Sequence, residues 1–481
     1  MTDLTLRPAA EMLADLAARR ISARELLDAH LERHEQVHGR INAVVATDLD
    51  RARADAAAID DARARGEVLG PLAGLPITVK DGFDVAGMPA VSGVPALADR
   101  PKDCADADVV AVARRAGAVP WGKTNVPLML GDWQSFNDVY GTTNNPFDVT
   151  RTSGGSSGGA AAALATGVTS LEIGSDIGGS LRHPANFCGV YSLKPTFGVL
   201  SMRGSVPPGP GTYVETDLGV AGPMARTAAD LRLLWDVLRE PGAEPTPAPE
   251  PVTGARVALW LDEPEFVVAD EVRAGVLAAV EALRGQGVKV EEVRAPVSVT
   301  TLMDTYMTLL IPILAAGFPD EVFEMLAAAR PDALAALAAG ADRYGGAGFA
   351  VAATSSFRDV AKARVVRQRL REELAAWFGD WDAVLCPIAP VTAFTHRHEG
   401  TVSDRVLEVD GREVAYARML DWIALATVLH APALAAPVTR TSSGMPVGAQ
   451  LVGKWGQESR LLDMADALER ATGGFHAPES S

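Results

Sequence analysis

The chain has 481 residues, 48% hydrophobic and 22% charged, a balance that suits a globular protein with a substantial core and excludes a disordered or fibrous one. Lys and Arg number 44 against 61 Asp and Glu, a formal net charge of −17 that repels phosphate backbones and anionic membrane surfaces and excludes nucleic acid as a primary partner. Three cysteines, Cys104, Cys188 and Cys386, are too few and too scattered for a disulfide framework or a thiolate zinc site, so buried structural thiols in a reducing compartment are expected.

From the N-terminus, Asp3 and Glu11 interrupt what would be a charged and then apolar leader, and the segment reads as an amphipathic helix. A cytoplasmic protein is the expectation. Apolar positions at helical spacing continue through residues 8–38, where Ser22 is placed to cap a second helix. Gly74 to Val79 reads as a strand, Ala107 to Arg115 as a helix closed by Gly117, and Val119 to Trp121 as a short strand. This alternation predicts an α/β architecture.

Further along, Gly117 followed by Gly122-Lys123-Thr124 satisfies a phosphate-loop pattern, but Asn125-Val126-Pro127 comes next. Pro127 lacks the amide donor that a helix start facing phosphates would supply. Gly154-Gly155-Ser156-Ser157-Gly158 fits the G-x-S-x-G elbow of α/β-hydrolases, with His183, His396, His398 and His430 downstream as partners. No clear strand precedes it, and a Gly/Ser loop capping the helix Ala160 to Thr166 explains the same residues.

The proline-rich stretch from Arg239 to Val252 marks a surface connection and a candidate boundary. Beyond it, Arg256 to Trp260 reads as a strand and Glu271 to Gly285 as a helix. Residues 302–375 are Ala-rich and helical around a loop at Gly345 to Gly348. The longest apolar stretch, Ile423 to Val438, is broken by His430, Pro432 and Pro437 and falls short of the roughly 20 residues of a membrane span.

Three segments carry the chemistry together: Pro76-Ile77-Thr78-Val79-Lys80-Asp81, the Ser/Gly run around Ser156, and Gly174-Ser175-Asp176-Ile177-Gly178-Gly179-Ser180-Leu181-Arg182. With GKTNVP, YGTTNNPFDVTRTSGGSSGG, HPANFCGVYSLKPTFG and GPMARTAAD they make up a stretch from about 70 to 227. That stretch, with a return at Pro446 to Gly453, resembles the amidase signature family. The resemblance implies a single domain over 1–481 built on one large mixed β-sheet flanked by helices. It also places a motif core at about 70–227, the connection at about 239–252 and a variable substrate-side region at about 295–400.

It implies Lys80 as base, Ser156 as the serine of a cis peptide and Ser180 as nucleophile. The backbone amides of Ile177, Gly178, Gly179 and Ser180 are then placed to receive an oxyanion. The chemistry needs these types: a serine hydroxyl must lose its proton as it attacks, a lysine accepts one only when neutral, and burial favours the neutral amine. Read from spacing alone, without the resemblance, Lys80 is better explained as a strand-end lysine in water.

By the same resemblance the segment after Pro127 lies beside the nucleophile, giving Met129, Leu130 and Gly131 as substrate-binding candidates, with the run Leu302 to Leu310 as a second wall. Neither segment offers Arg or Lys for a substrate carboxylate, so uncharged, partly hydrophobic amides or carbamates are expected over malonamate. No metal or cofactor is implied, and His396-Arg397-His398 reads as a surface loop. The expected partner is a small amide substrate, with monomer and homodimer both open. The competing assignment is the glutaminase subunit of a tRNA-dependent amidotransferase, from which His183 and the segment after Gly198 depart. A Thr427 to Ala433 stretch also replaces the family's Asn-Leu-Thr-Gly-like run.

Overall fold

The computed structural model describes residues 3–207, 209–211, 215–239 and 249–479. Its centre is an eleven-stranded mixed sheet, and the order across it is β1-β3-β2-β6-β8-β7-β14-β15-β11-β9-β10. In chain order the strands are β1 (Val44–Thr47), β2 (Pro76–Lys80), β3 (Val119–Thr124), β4 (Phe136–Asn137) and β5 (Gly141–Thr142). There follow β6 (Leu171–Asp176), β7 (Tyr191–Lys194), β8 (Val220–Ala225), β9 (Arg256–Leu259) and β10 (Lys289–Glu292), then β11 (Ala383–Cys386), β12 (Val406–Val409), β13 (Arg412–Ala415), β14 (Ala433–Arg440) and β15 (Pro446–Gly453). The pairs β4/β5 and β12/β13 form separate two-stranded sheets.

The large mixed sheet flanked by helices is the expected architecture. β2 runs parallel to both β3 and β6, while β6/β8 and β14/β15 are antiparallel. The sheet continues across the 239–252 connection, because β8 and β9 both belong to it; residues 240–248 of that connection lie outside the described residues. Along β2 the side chains alternate. Ile77 and Val79 join a core formed with the helices Ala23–Ile41 and Ala228–Leu238, whereas Thr78 and Lys80 turn to the opposite face. That face is covered by the helix Gly158–Ala165, whose Gly and Ala residues allow it to lie close to the strands. A second core gathers Trp260, Trp422, Tyr306 and Leu374 over the far half of the sheet.

Local readings hold where the chemistry is local. Ser22 caps Ala23–Ile41 with a reciprocal pair: its Oγ accepts from the Glu25 amide at 3.1 Å, and the Glu25 carboxylate accepts from the Ser22 amide at 2.8 Å. The expected helices after Ala107 and before Gly285 are present as Asp108–Arg115 and Asp270–Gly285.

Two readings are corrected. Gly345 to Gly348 is not a loop: Gly345 caps a helix, Gly346–Ala353, in which a Cβ on Gly348 would stand 1.9 Å from the Arg343 carbonyl oxygen. Close packing, not flexibility, explains that glycine. The strand expected to end at Trp121 runs on to Thr124, so Gly122-Lys123-Thr124 lies inside the sheet, and buried Lys123 pairs with Asp81 at 3.0 Å. The apolar stretch 423–438 divides into the short buried helix Ala424–Val428 and β14, and among the described residues no helix is long and apolar enough to cross a membrane.

Candidate active site

Lys80 ends β2 with no exposed surface. Its Nζ donates to Ser156 Oγ at 2.8 Å, to Ser175 Oγ at 3.0 Å and to the Ser175 carbonyl at 3.2 Å. Two hydroxyls and a carbonyl surround the amine, so hydration is lost without a carboxylate in contact to replace it. Burial pushes its pKa down to about 7, against the pull of Asp176 and Glu172 toward the charged form. The amine is thus able to exchange protons with a hydroxyl at neutral pH.

Ser156 follows a cis peptide from Gly155 and is buried. A side chain at Gly155 would collide with the backbone at Asp132 to Gln134, its Cβ falling 2.4 Å from the Asp132 carbonyl oxygen. The Ser135 hydroxyl supports the run by donating to the Gly154 carbonyl and accepting from the Gly158 amide, both at 3.0 Å. The amide of Ser157 donates to the Ser180 carbonyl at 3.2 Å, which joins the two serine loops directly.

Ser180 stands at a tight turn between β6 and the helix Arg182–Cys188, 5% exposed. The carboxylate of Asp176 organises that turn. It accepts from the amides of Gly179 at 3.0 Å and Leu181 at 3.1 Å, and from Arg182 Nε at 3.0 Å and Nη2 at 2.9 Å. Burial opposes the ionisation of Asp176, yet Arg182 and Lys194 hold it well below the usual carboxylate range. Arg182, also fully buried, reaches on to the Ile423 carbonyl, Gln450 Oε1 and Thr427 Oγ1. The returning motif at Pro446–Gly453 is explained by Gln450, whose amide donates to the carbonyls of Pro387 and Trp422 at 2.7 Å each.

The turn's carbonyls are held from outside. Trp133 Nε1 donates to the Gly178 carbonyl and Tyr306 Oη to the Ile177 carbonyl, each at 2.7 Å. In a trans peptide the next amide points the opposite way, so Tyr306 directs the Gly178 N–H away from itself. Among the described residues the amides of Ile177, Gly178 and Ser180 make no hydrogen bond, while that of Gly179 is taken up by Asp176. Gly179 lies at φ +88°, with space for a Cβ denied by the His183 ring at 2.3 Å.

The wall candidates fare differently. Leu130 packs against Gly82, where a Cβ would stand 2.9 Å from its Cδ1, and so reaches the end of the Lys80 strand; Met129 lies against Gly317. Both occupy left-handed backbone, at φ 57° and 51°, a strain of order 1–2 kcal/mol each for residues with a Cβ. Gly131 is exposed. The run Leu302 to Leu310 lies in the helix Val299–Ala315 and is mostly core, packed with Trp133, Leu420 and Trp422.

The histidines do not join the serines. His430 bonds Asp217 at 3.1 Å and stacks on Phe197; His398 stacks on Phe136; His396 approaches the Val149 carbonyl. His183 is buried beside Gly179, and burial pushes it down to about 3, keeping it neutral. Cys188 and Cys386 are buried free thiols and Cys104 is half-buried. Residues that sequence reasoning did not assign are Ser175, Trp133, Tyr306 and Glu172. Ser175 stood inside the quoted motif, but only the fold shows which way its hydroxyl points.

The family model described as Amidase matches residues 25–462. A glutamyl-tRNA(Gln) amidotransferase chain of Synechococcus sp. (strain WH7803) is 33% identical, with 96% of each chain covered. AtzE of Pseudomonas sp. (strain ADP), a component of 1-carboxybiuret hydrolase, is 32% identical over 95% of this chain and 97% of its own. A solved structure described as an amidase superposes with a TM-score of 0.79 at 30% identity, covering 97% of this chain and all 100% of that one. The chain belongs to the amidase family and is a hydrolase of carbon–nitrogen bonds other than peptide bonds.

The Asp176–Arg182 pair makes a testable demand. Arg182→Ala strands a buried carboxylate and releases five hydrogen bonds at once, and a loss of about 3–5 kcal/mol in denaturant unfolding is expected. A loss under about 1 kcal/mol would mean that the pair does not hold the turn.

Proposed function

We propose that this amidase works through an acyl-enzyme on Ser180, with Ser156 as proton relay and Lys80 as base; the observation that carries the reading is the buried Lys80 amine 2.8 Å from Ser156 Oγ. Ser180 Oγ attacks the substrate carbonyl carbon. Its proton passes to Ser156 as Ser156 gives its own to neutral Lys80, and a hydroxyl suits that task because it both donates and accepts. Charge on the substrate oxygen is received by the amides of Ile177 and Gly178, with that of Ser180 beside them, each such donor lowering the barrier by about 3 to 4 kcal/mol. Gly179, whose amide is engaged with Asp176, shapes the turn. The C–N bond then breaks, the departing amine takes the proton back through Ser156, and water cleaves the ester by the same relay.

The substrate is a small, uncharged, partly hydrophobic amide or aryl carbamate. Met129, Leu130, Trp133 and Ile177 supply apolar surface around the turn, and Arg405, which pairs with Asp132 next to Gly131 and Trp133, is also engaged with three backbone carbonyls. The protein acts in the cytoplasm, alone or as a homodimer. A glutaminase component of an amidotransferase is the second reading, favoured by the 33% identity to the Synechococcus chain.

Ser180→Ala should abolish turnover of an anilide, and Lys80→Ala and Ser156→Ala should each lower kcat at least about a hundredfold with circular dichroism unchanged. Near-normal activity in a folded Ser180→Ala protein would sink the assignment. Because only neutral Lys80 accepts a proton, kcat/KM should climb with pH, level off above about 7, and be indifferent to EDTA.

For substrate choice, kcat/KM for an acetanilide or aryl carbamate should exceed that for malonamate by about tenfold or more, since an apolar ring gains burial energy that a carboxylate does not. A malonamate advantage would reveal an available cation in the pocket. Faster turnover of glutamine than of the anilide would favour the second reading.

A further inference from the structure

In the proposed mechanism the Gly178 amide receives the substrate oxygen, and little in the turn fixes the peptide that carries it. The neighbouring peptide, Gly178–Gly179, is held at both ends: its carbonyl accepts from Trp133 Nε1 at 2.7 Å and its N–H donates to Asp176 at 3.0 Å. Packing locks that peptide as well, because a Cβ on Gly179 would stand 2.3 Å from the His183 ring. At Gly178 a Cβ would meet nothing closer than Leu420 at 3.7 Å and Trp133 at 3.9 Å, which is ordinary contact, and glycine accepts either sign of φ. Packing does not choose the orientation there. Among the described residues the Gly178 N–H makes no hydrogen bond, and the Ile177 carbonyl makes one, from Tyr306 Oη at 2.7 Å.

That single bond decides two directions. The Ile177–Gly178 peptide is trans, so its carbonyl and N–H point opposite ways and whatever fixes one fixes the other. With the carbonyl on Tyr306, the N–H is presented to the far side. Half a turn of the peptide would exchange them, and the Ile177 oxygen would then face the substrate oxygen and repel it as its charge develops. Gly178 is buried, and an unpaired N–H in a buried turn is costly to keep; a bond from behind holds it in place until a substrate oxygen takes it. Tyr306 is itself fixed. It has no exposed surface, and Leu302, Leu309 and Leu310 anchor its helix in the core with Trp422.

We propose that Tyr306 is a positioning residue for the reaction: its hydroxyl, by holding the Ile177 carbonyl, keeps the Gly178 N–H aimed at the substrate oxygen of the tetrahedral intermediate. The proposal rests on Ser180 acting as the nucleophile. It gives the helix Val299–Ala315, which lies outside every motif, a part in the chemistry as well as in the core.

Tyr306→Phe keeps the ring and removes only the donor. A trifluoromethyl ketone reports on the amides directly: Ser180 Oγ bonds to its carbonyl carbon, the serine proton passes through Ser156 to Lys80, and the former carbonyl oxygen becomes the anion. With an anilide as substrate, Tyr306→Phe should lower kcat about tenfold and weaken ketone inhibition about tenfold, less than the loss from deleting a donor outright because the amide is misaimed rather than removed. KM should change less than about twofold, since the ground state does not use the bond. p-Aminophenylalanine at position 306 returns an N–H donor to the same place and should recover most of both losses; it also carries the test if the phenylalanine variant folds poorly. Unchanged kcat and ketone inhibition in folded Tyr306→Phe, or losses that p-aminophenylalanine does not recover, overturn the role of Tyr306 and leave Ser180 standing. Ketone affinity undiminished in Ser180→Ala overturns the nucleophile and the proposal with it.

Discussion

The structure depends on the burial of one amine. In the proposed mechanism Lys80 serves as a base only if it gives up its proton near neutral pH, and water would hold that proton at every position on the surface. Enclosing the side chain under the helix Gly158–Ala165 removes the water. Surrounding it with Ser156, Ser175 and a carbonyl satisfies its hydrogen bonds without a contacting anion that would hold the charge. The small residues of that helix follow from the same need.

Near this amine two other buried cations are paired with carboxylates. Arg182 with Asp176 and Lys123 with Asp81 each place cation and anion in hydrogen-bond contact with no exposed side-chain surface to speak of. Such pairs contribute little net stability against an apolar alternative, but each fixes backbone. Asp176 shapes the turn that presents Ser180, and Arg182 ties the turn to the segment 423–427 and to β15. Motifs nearly three hundred positions apart are therefore parts of one hydrogen-bonded unit.

The parts legible in the sequence were those with local causes or a long motif. Ser22 announced a helix start, the alternation of apolar runs announced an α/β architecture, and the resemblance carried by the segments around Lys80, Ser156 and Ser180 implied the large mixed sheet and brought those segments into one candidate site. What could not be read depended on direction. Lys123, in a phosphate-loop pattern, belongs to a strand because β3 continues past Trp121. Gly179 carries an amide of the expected type, yet the carboxylate three residues earlier claims it. His430 adopts a left-handed backbone at φ 61°, with stacking on Phe197 and a bond to Asp217 to offset the strain.

Tyr306 shows why the substrate side is harder to read than the catalytic side. Its helix, Val299–Ala315, falls in the part of the chain that matched no motif, and its apolar residues suggested a pocket wall. The structure buries most of them in the core and uses one hydroxyl to hold the Ile177 carbonyl in the turn that carries Ser180. The helix therefore cannot shift freely to suit a substrate without disturbing the turn that presents Ser180. Freedom to vary is left to what surrounds it: Met129 and Leu130 in their strained loop, Gly317 against Met129, and the largely exposed helix Asp320–Ala338 that follows. If the proposed site is right, differences in substrate preference are to be sought in those positions, where no backbone group of the turn that carries Ser180 is at stake.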